Sequence, residues 1–343
     1  MKKPTHILVL RLSALGDVAM LVPVLHILTQ TYPNLKITVV SRAFFKPFFK
    51  DISNCNFLEA DVYGKHKGFG LFKLSSEAKK LGIDAVADVH NVLRSKMLRT
   101  HLWSMGIKTA TIDKGRAEKK KATASKPLKK LQPLKTTHQR YAAVFSMLGY
   151  PIDLKKYTPP RNKELSEKTH NLIGAHTQKL IGIAPFAAYK SKMYPLPMMR
   201  EVLEKLNAQK NYQLLLFGGK NEVKQMEEIS AGLQNVKVVA GSLSFEEELA
   251  LISNLDGMIA MDSGNGHLAA MFGVPVLTLW GVTHPYLGFT PFNQPRENQL
   301  ISNREKYPLL PTSVYGNKYP KGYENAMQSI PVKLVVEKAV AVF

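Results

Sequence analysis

The stretch DGMIAMDSGNGHLAAMFGVPVLTLWG, residues 256–281, decides how the rest of the chain is read. A short apolar run at 258–261 turns through Asp262-Ser263-Gly264-Asn265-Gly266-His267 into a small-residue helix, and a second apolar run follows at 275–280. A strand that turns through serine and glycine into a helix leaves unpaired backbone N–H groups at the helix N-terminus, where they bind anions such as phosphate. Gly264 and Gly266 let a diphosphate approach the backbone with no Cβ in the way. Asp262 and Ser263 are N-cap residue types, and His267 falls on the first helical turn. The same residues also read as an ordinary capped turn with a core histidine, because glycine-rich turns are common in α/β proteins.

Outward from this stretch the chain alternates. In the second half, strands are expected at 180–184, 212–217, 236–240, 257–261 and 275–280, with helices at 165–177, 197–208, 221–231 and 245–254 between them. The first half gives strands at 6–11, 36–41, 55–60, 84–89 and 107–112. Helices are expected there at 18–31, 43–50, 71–81, 93–105 and 137–148. Strands alternating with helices of ten or more residues imply parallel, doubly wound sheets. Pro151, Pro159 and Pro160 interrupt any regular element between the halves, so the expected division is 1–160 and 161–329, with a closing helix in 330–343 that starts on Pro331. Two such halves place ligands at the C-terminal ends of their strands, in a cleft between them.

The 343 residues carry 45% apolar content and a single cysteine, Cys55, which excludes an intramolecular disulfide and suits a reducing compartment. There is no apolar run of membrane-spanning length, and the early run at 7–10 is too short for a secretory signal, so a cytoplasmic location is expected. The net charge is +21. Residues 114–135, KGRAEKKKATASKPLKKLQPLK, contribute nine Lys/Arg against one Glu. Such a segment reads either as a solvated mobile loop or as a landing surface for a polyanion. A nucleic-acid binder is the alternative that the charge raises, although the segment lacks interleaved aromatics and any recognised module. P-loop, G-x-G-x-x-G, HExxH, paired-cysteine and G-x-S-x-G motifs are all missing, which argues against an NTPase, a dehydrogenase, a zinc hydrolase and a serine esterase.

Three further turns follow strands on the same edge as the opening motif. Arg11-Leu12-Ser13-Ala14-Leu15-Gly16-Asp17 puts Asp17 at a helix start, either as an N-terminal cap or as a base or hydroxyl binder. A helix N-terminus stabilises a carboxylate as its anion, so a catalytic role also demands desolvation. Lys190 and Lys192 lie in a loop that reads as a diphosphate clamp or as plain solvated surface. Glu222, after Phe217-Gly218-Gly219, reads as a ribose-hydroxyl acceptor or as charge complementary to a helix start.

Strand–SALGD–helix at 6–28, Lys192-Met193-Tyr194-Pro195, Phe217-Gly218-Gly219 and above all Met261-Asp262-Ser263-Gly264-Asn265-Gly266-His267-Leu268-Ala269-Ala270 together resemble glycosyltransferase family 9, the ADP-heptose:lipopolysaccharide heptosyltransferases. The likeness spans nearly the whole chain in matching order. It implies a GT-B architecture of two Rossmann-like domains, the N-terminal one for the acceptor and the C-terminal one for the nucleotide-sugar, with the closing helix packing back toward the first. It further implies inverting transfer of heptose from ADP-heptose to a Kdo-lipid A type acceptor, with no metal or other cofactor, no nucleic acid, and peripheral contact with the cytoplasmic face of the inner membrane.

By position, Asp17 resembles the family's general base and Lys192 the lysine that offsets charge on the leaving ADP. Glu222 resembles the ribose acid; Asp262, Ser263, Gly264, Gly266 and His267 match the donor-binding motif. The basic segment, through Arg116, Lys119, Lys120, Lys121, Lys126, Lys129 and Lys130, lies where the resemblance implies acceptor phosphates. Ala187 and Ala188 stand where better-known members carry hydroxyl residues. That removes one source of phosphate hydrogen bonds and leaves another nucleotide-sugar, or another phosphorylated glycan, as the alternative substrate. A catalytically inactive scaffold is disfavoured by the presence of Asp17 and of the complete 262–267 motif.

Overall fold

The computed structural model describes residues 3–343; Met1 and Lys2, which open the N-terminal reading, lie outside the described residues. In chain order the first elements are β1 (His6–Leu10), α1 (Leu15–Ala19), α2 (Leu21–Thr31), β2 (Lys36–Ser41) and β3 (Cys55–Glu59). There follow α3 (Gly70–Lys80), β4 (Ala85–Asp88), α4 (Leu93–Ser104), β5 (Lys108–Thr111), α5 (Arg116–Ala122) and α6 (Thr137–Met147). The second half comprises α7 (Glu167–Ile173), β6 (Lys179–Ala184), α8 (Leu196–Asn207), β7 (Tyr212–Leu216), α9 (Val223–Ser230) and β8 (Val236–Val238). It continues through α10 (Phe245–Ser253), β9 (Gly257–Met261), α11 (Gly264–Met271), β10 (Val276–Trp280), β11 (Gln299–Ile301) and α12 (Val332–Val342).

The strands form two parallel sheets of five and six members, ordered β3-β2-β1-β4-β5 and β11-β10-β9-β6-β7-β8. In each the chain starts at a central strand, winds out one way and then returns to wind out the other. β1, β7, β9 and β10 are buried along their whole length. That is why they read in sequence as largely apolar runs: helices cover both faces of a parallel sheet. Leu8, Leu10, Val40, Val86 and Leu98 pack together in the first core. Ile183, Leu214, Leu216, Ile259 and Leu277 pack in the second.

Two compact units result. Residues through Lys114, with Lys135–Thr158, make the first; Gly115–Leu134 and Pro159–Phe343 make the second. A single boundary at 160 is what the prolines suggest, and the chain does pass between units at 158/159. The basic segment, however, groups with the second unit. Leu128 N–H donates to the Pro308 carbonyl (2.7 Å) and Leu134 N–H to the Tyr286 carbonyl (3.0 Å). α12 packs on α8 and β10, where Val335 and Ala339 complete the second core. The helix expected at 18–31 is two, α1 and α2, joined at Met20. α7 is shorter than expected, stopping at Gly174, whose φ is +69°.

Candidate active site

In the second unit, β9 delivers Asp262 to the mouth of α11. The Asp262 carboxylate is nearly buried and takes two partners on one oxygen. Lys192 Nζ lies 2.9 Å from Oδ2, and the Thr283 hydroxyl donates to the same atom at 2.8 Å. Ser263 occupies the N-cap of α11 but makes no side-chain cap bond, and its buried Oγ finds no hydrogen-bond partner among the described residues. An ordinary capped turn would use that hydroxyl on the helix's own N–H groups. Here the hydroxyl and the first N–H groups are left for something else. Gly266 and His267 are buried on the first turn of α11, while Gly264 is half-buried.

Lys192 is held from behind. The Ser191 hydroxyl donates to the Gly316 carbonyl at 2.5 Å, Val282 N–H donates to the Ser191 carbonyl at 3.2 Å, and Gly316 lies directly on the aliphatic stem of Lys192. Gly316 adopts φ +90°, a conformation and a closeness that suit only glycine. Gly281 abuts the Ser191 carbonyl in the same way. The lysine is therefore aimed by three separate pieces of chain, 191–192, 281–283 and 313–317. Glu222 is partly buried, and its Oε2 accepts from Gly219 N–H at 2.7 Å, closing its own turn; the carboxylate is fixed beside Gly218 and Gly219.

In the first unit, Asp17 sits on the first turn of α1 and is ion-paired through Oδ2 to Arg11. Arg11 is buried, donates to the Val89 carbonyl (2.9 Å) and lies over the Tyr141 ring (5.8 Å). Tyr141 Oη donates to the Asp17 carbonyl at 3.1 Å. Asp17 itself keeps 31% of its side chain exposed, so a hydroxyl can reach it. His90 backs the same turn: its Nδ1 accepts from Leu12 N–H (3.4 Å), and its Nε2 lies 3.5 Å from Ser13 Oγ. Burial, reinforced by Arg11, pushes His90 down to about 3, so the ring is neutral. Beside this turn is a cavity of about 370 Å³, lined by Ser13, Arg42, Tyr63, His90, Leu93 and Arg94 among others.

The basic segment divides. Arg116, Lys120, Lys121, Lys126 and Lys130 are exposed. Lys129 is not: its ammonium donates to the carbonyls of Ala124 (2.8 Å), Leu309 (2.6 Å) and Pro311 (3.0 Å). Lys119 is also buried, its ammonium 3.9 Å from the centre of the Phe289 ring. These two lysines hold the segment onto its own unit. The residues that sequence reading passes over are Thr283, Arg11 and His90. Arg11 stands inside the turn motif itself, but Thr283 is 21 residues from its partner Asp262, and His90 is 77 from Ser13.

Comparison with known proteins bears on the family and the fold. The profile of glycosyltransferase family 9 (heptosyltransferase) matches residues 72–319. The chain is 24% identical to the lipopolysaccharide core heptosyltransferase OpsX of Haemophilus influenzae, over 84% of this chain and 82% of that one. It is 26% identical to the lipopolysaccharide heptosyltransferase 3 of Escherichia coli K12, over 78% and 80%. Among solved structures, a glycosyl transferase family 9 protein from Veillonella parvula superposes with a TM-score of 0.74 at 19% identity, over 98% and 97% of the two chains. The E. coli ADP-heptose lipopolysaccharide heptosyltransferase II superposes with a TM-score of 0.67 at 20% identity, over 98% of each. The fold is GT-B, with two Rossmann-like parallel-sheet domains and no closed barrel. The chain belongs to glycosyltransferase family 9, and it is a glycosyltransferase.

Proposed function

We propose that the protein transfers heptose from ADP-heptose to the Kdo-containing inner core of a lipid A acceptor, with inversion and without a metal. The observation that carries the donor half is the Lys192–Asp262–Thr283 cluster at the uncapped N-terminus of α11. A fixed ammonium, free helix N–H groups and a buried serine hydroxyl supply the donors that a diphosphate takes. Lys192 then does the work a divalent cation does in other transferases. Glu222, held on its glycine turn, receives the ribose. The relatives named above supply heptose and lipopolysaccharide as the substrate class.

In the reaction, the acceptor hydroxyl gives its proton to the Asp17 carboxylate as its oxygen bonds to the anomeric carbon. The bond from that carbon to the β-phosphate oxygen breaks, and its electron pair leaves on ADP. Lys192 and the α11 N–H groups stabilise the charge gathering there. Attack from the face opposite the diphosphate inverts the anomeric centre. Arg11 holds Asp17 in place, and the cavity beside Ser13, with Arg42 and Arg94 on its wall, takes the anionic sugar of the acceptor. The exposed cations Arg116, Lys120, Lys121, Lys126 and Lys130 meet further acceptor phosphates, and the protein works as a peripheral protein on the membrane face that presents them.

Calorimetric titration with ADP, UDP and GDP in the presence of a chelator tests this reading. Binding of ADP alone supports the ADP-sugar donor, and transfer assays with ADP-heptose follow. Preference for UDP or GDP keeps the mechanism and discards heptose. Absence of binding by all three overturns the donor site.

A further inference from the structure

The first unit carries an apolar face that its own core does not use. α4, LRSKMLRTHLWS, turns Ser95, Leu98 and Leu102 inward. At 3.6 residues per turn, Leu93, Lys96, Met97 and Trp103 then fall on the outer side, with Arg94 exposed on its flank. Leu93 is 75% exposed and Trp103 64%. Alongside, the turn before α3 presents Tyr63 (68% exposed) and Phe69 (87%). Phe69 stacks on Phe72 at 6.2 Å, Phe72 meets His101 of α4 edge-on at 4.7 Å, and Arg94 of α4 lies 5.1 Å from the Tyr63 ring. These contacts make one continuous surface of α4 and the 63–72 segment.

Its charge is one-sided. Residues 63–80 hold five lysines and one glutamate, and α4 holds two arginines, one lysine and no acid. The glutamate, Glu77, is paired with the buried His66 at 3.3 Å, and Asp61 is taken up by the N–H groups of Gly64 (2.8 Å) and Lys65 (3.0 Å). Exposed aromatic and aliphatic tips ringed by cations match the boundary between headgroups and acyl chains of an anionic bilayer. Tyr63, Leu93 and Arg94 also line the cavity beside Ser13, so the face runs directly into it.

We propose that α4 and the 63–72 segment dock the protein on anionic phospholipid, inserting Phe69, Leu93 and Trp103 and setting Lys65, Lys67, Lys73 and Lys96 against headgroup phosphates. The proposal rests on the reading that the acceptor is lipid-linked: a bilayer met here presents its headgroup sugars at the mouth of the cavity. It assigns insertion into the bilayer to this face and leaves the acceptor's phosphates to the 115–134 segment.

The chain supplies its own reporter. It has two tryptophans; Trp280 is buried in β10, so a change in emission on mixing with vesicles reports Trp103. Full-length protein is mixed with phosphatidylethanolamine/phosphatidylglycerol vesicles and, separately, with phosphatidylcholine vesicles. The expected result is flotation with the anionic vesicles only, a blue shift, and quenching of Trp103 by lipids brominated along the acyl chain. F69S/F72S/W103S should lower the vesicle partition coefficient at least about tenfold, as expected from losing the Phe69 and Trp103 anchors and the Phe72 ring on which Phe69 stacks, while W103F keeps binding and loses the emission change. Retained binding by the triple variant, or binding with Trp103 unquenched, moves docking elsewhere, and K120E/K121E/K126E then asks whether the basic segment is responsible. No binding to anionic vesicles overturns the proposal outright. ADP titration and transfer to a detergent-dispersed acceptor, run on F69S/F72S/W103S and W103F, should be unchanged. Their failure in wild-type protein counts against the transferase reading and not against the docking face.

Discussion

In the proposed reaction Asp17 and Lys192 divide the chemistry, and their substitutions should fail differently. Asp17→Asn keeps the shape of the turn but cannot accept the hydroxyl proton, so kcat should fall about 10²- to 10⁴-fold, with ADP affinity unchanged by calorimetry. Turnover equal to wild type would remove Asp17 as the base. Lys192→Ala should raise the donor KM and lower kcat together, by about 10²-fold in kcat, because the ammonium meets the diphosphate before and during departure. Steady-state kinetics with varied donor separates the two. The motif residues 262–267 are legible in sequence because a strand, a Ser/Gly turn and a helix lie end to end. Thr283 meets Asp262 through side-chain reach across 21 residues, which leaves no local signature, whereas Arg11 meets Asp17 from within the turn itself.

Among elements, the 313–317 turn carries a prediction that a reading of the motif alone does not make. Ser313 Oγ accepts from Gly316 N–H at 2.9 Å, fixing the turn, and Gly316 covers the stem of Lys192. Gly316→Ala puts a Cβ where Lys192 Cγ stands 2.7 Å away, in a backbone region that costs an L-residue about 1–2 kcal/mol. The expected outcome is weaker ADP binding by calorimetry with a small loss of melting temperature; unchanged ADP affinity would show that Lys192 is aimed without it. This turn lies in 282–329, where proline, glycine and asparagine hide any period. For the same reason β11, three residues long, is not visible in the sequence, whereas the buried strands are. α5 is hidden differently: its Lys-rich sequence has no apolar stripe, and docking through Lys119 and Lys129 holds it.

At the scale of the whole molecule, two buried histidines should contribute to the loss of stability in acid. His90 is pushed down to about 3 and His284 to about 4, in both cases chiefly by burial. Each accepts a backbone N–H at Nδ1, from Leu12 and Tyr286 respectively, where a second ring proton has no room. The unfolded chain binds protons on both near pH 6.5 while the fold does not. Stability is therefore full above that pH and falls as pH drops from about 6.5 toward 3–4, by on the order of 1.4 kcal/mol per pH unit for each histidine. Melting temperatures across this range should slope accordingly, and H90Q should flatten part of the slope; an unaltered slope would assign the acid loss to carboxylates. Connectivity has a further consequence. Residues 115–134 leave the first unit's stretch of chain to complete the second, with Lys129 bridging Leu309 and Pro311. A fragment starting at 159 lacks that bridge and leaves those carbonyls unpaired. A hybrid spliced from two relatives at one point near 159 mismatches the segment with its dock. Exchanging this chain's second unit for a relative's thus takes three junctions, near 114, 134 and 158, so that the short basic segment travels with the unit it completes.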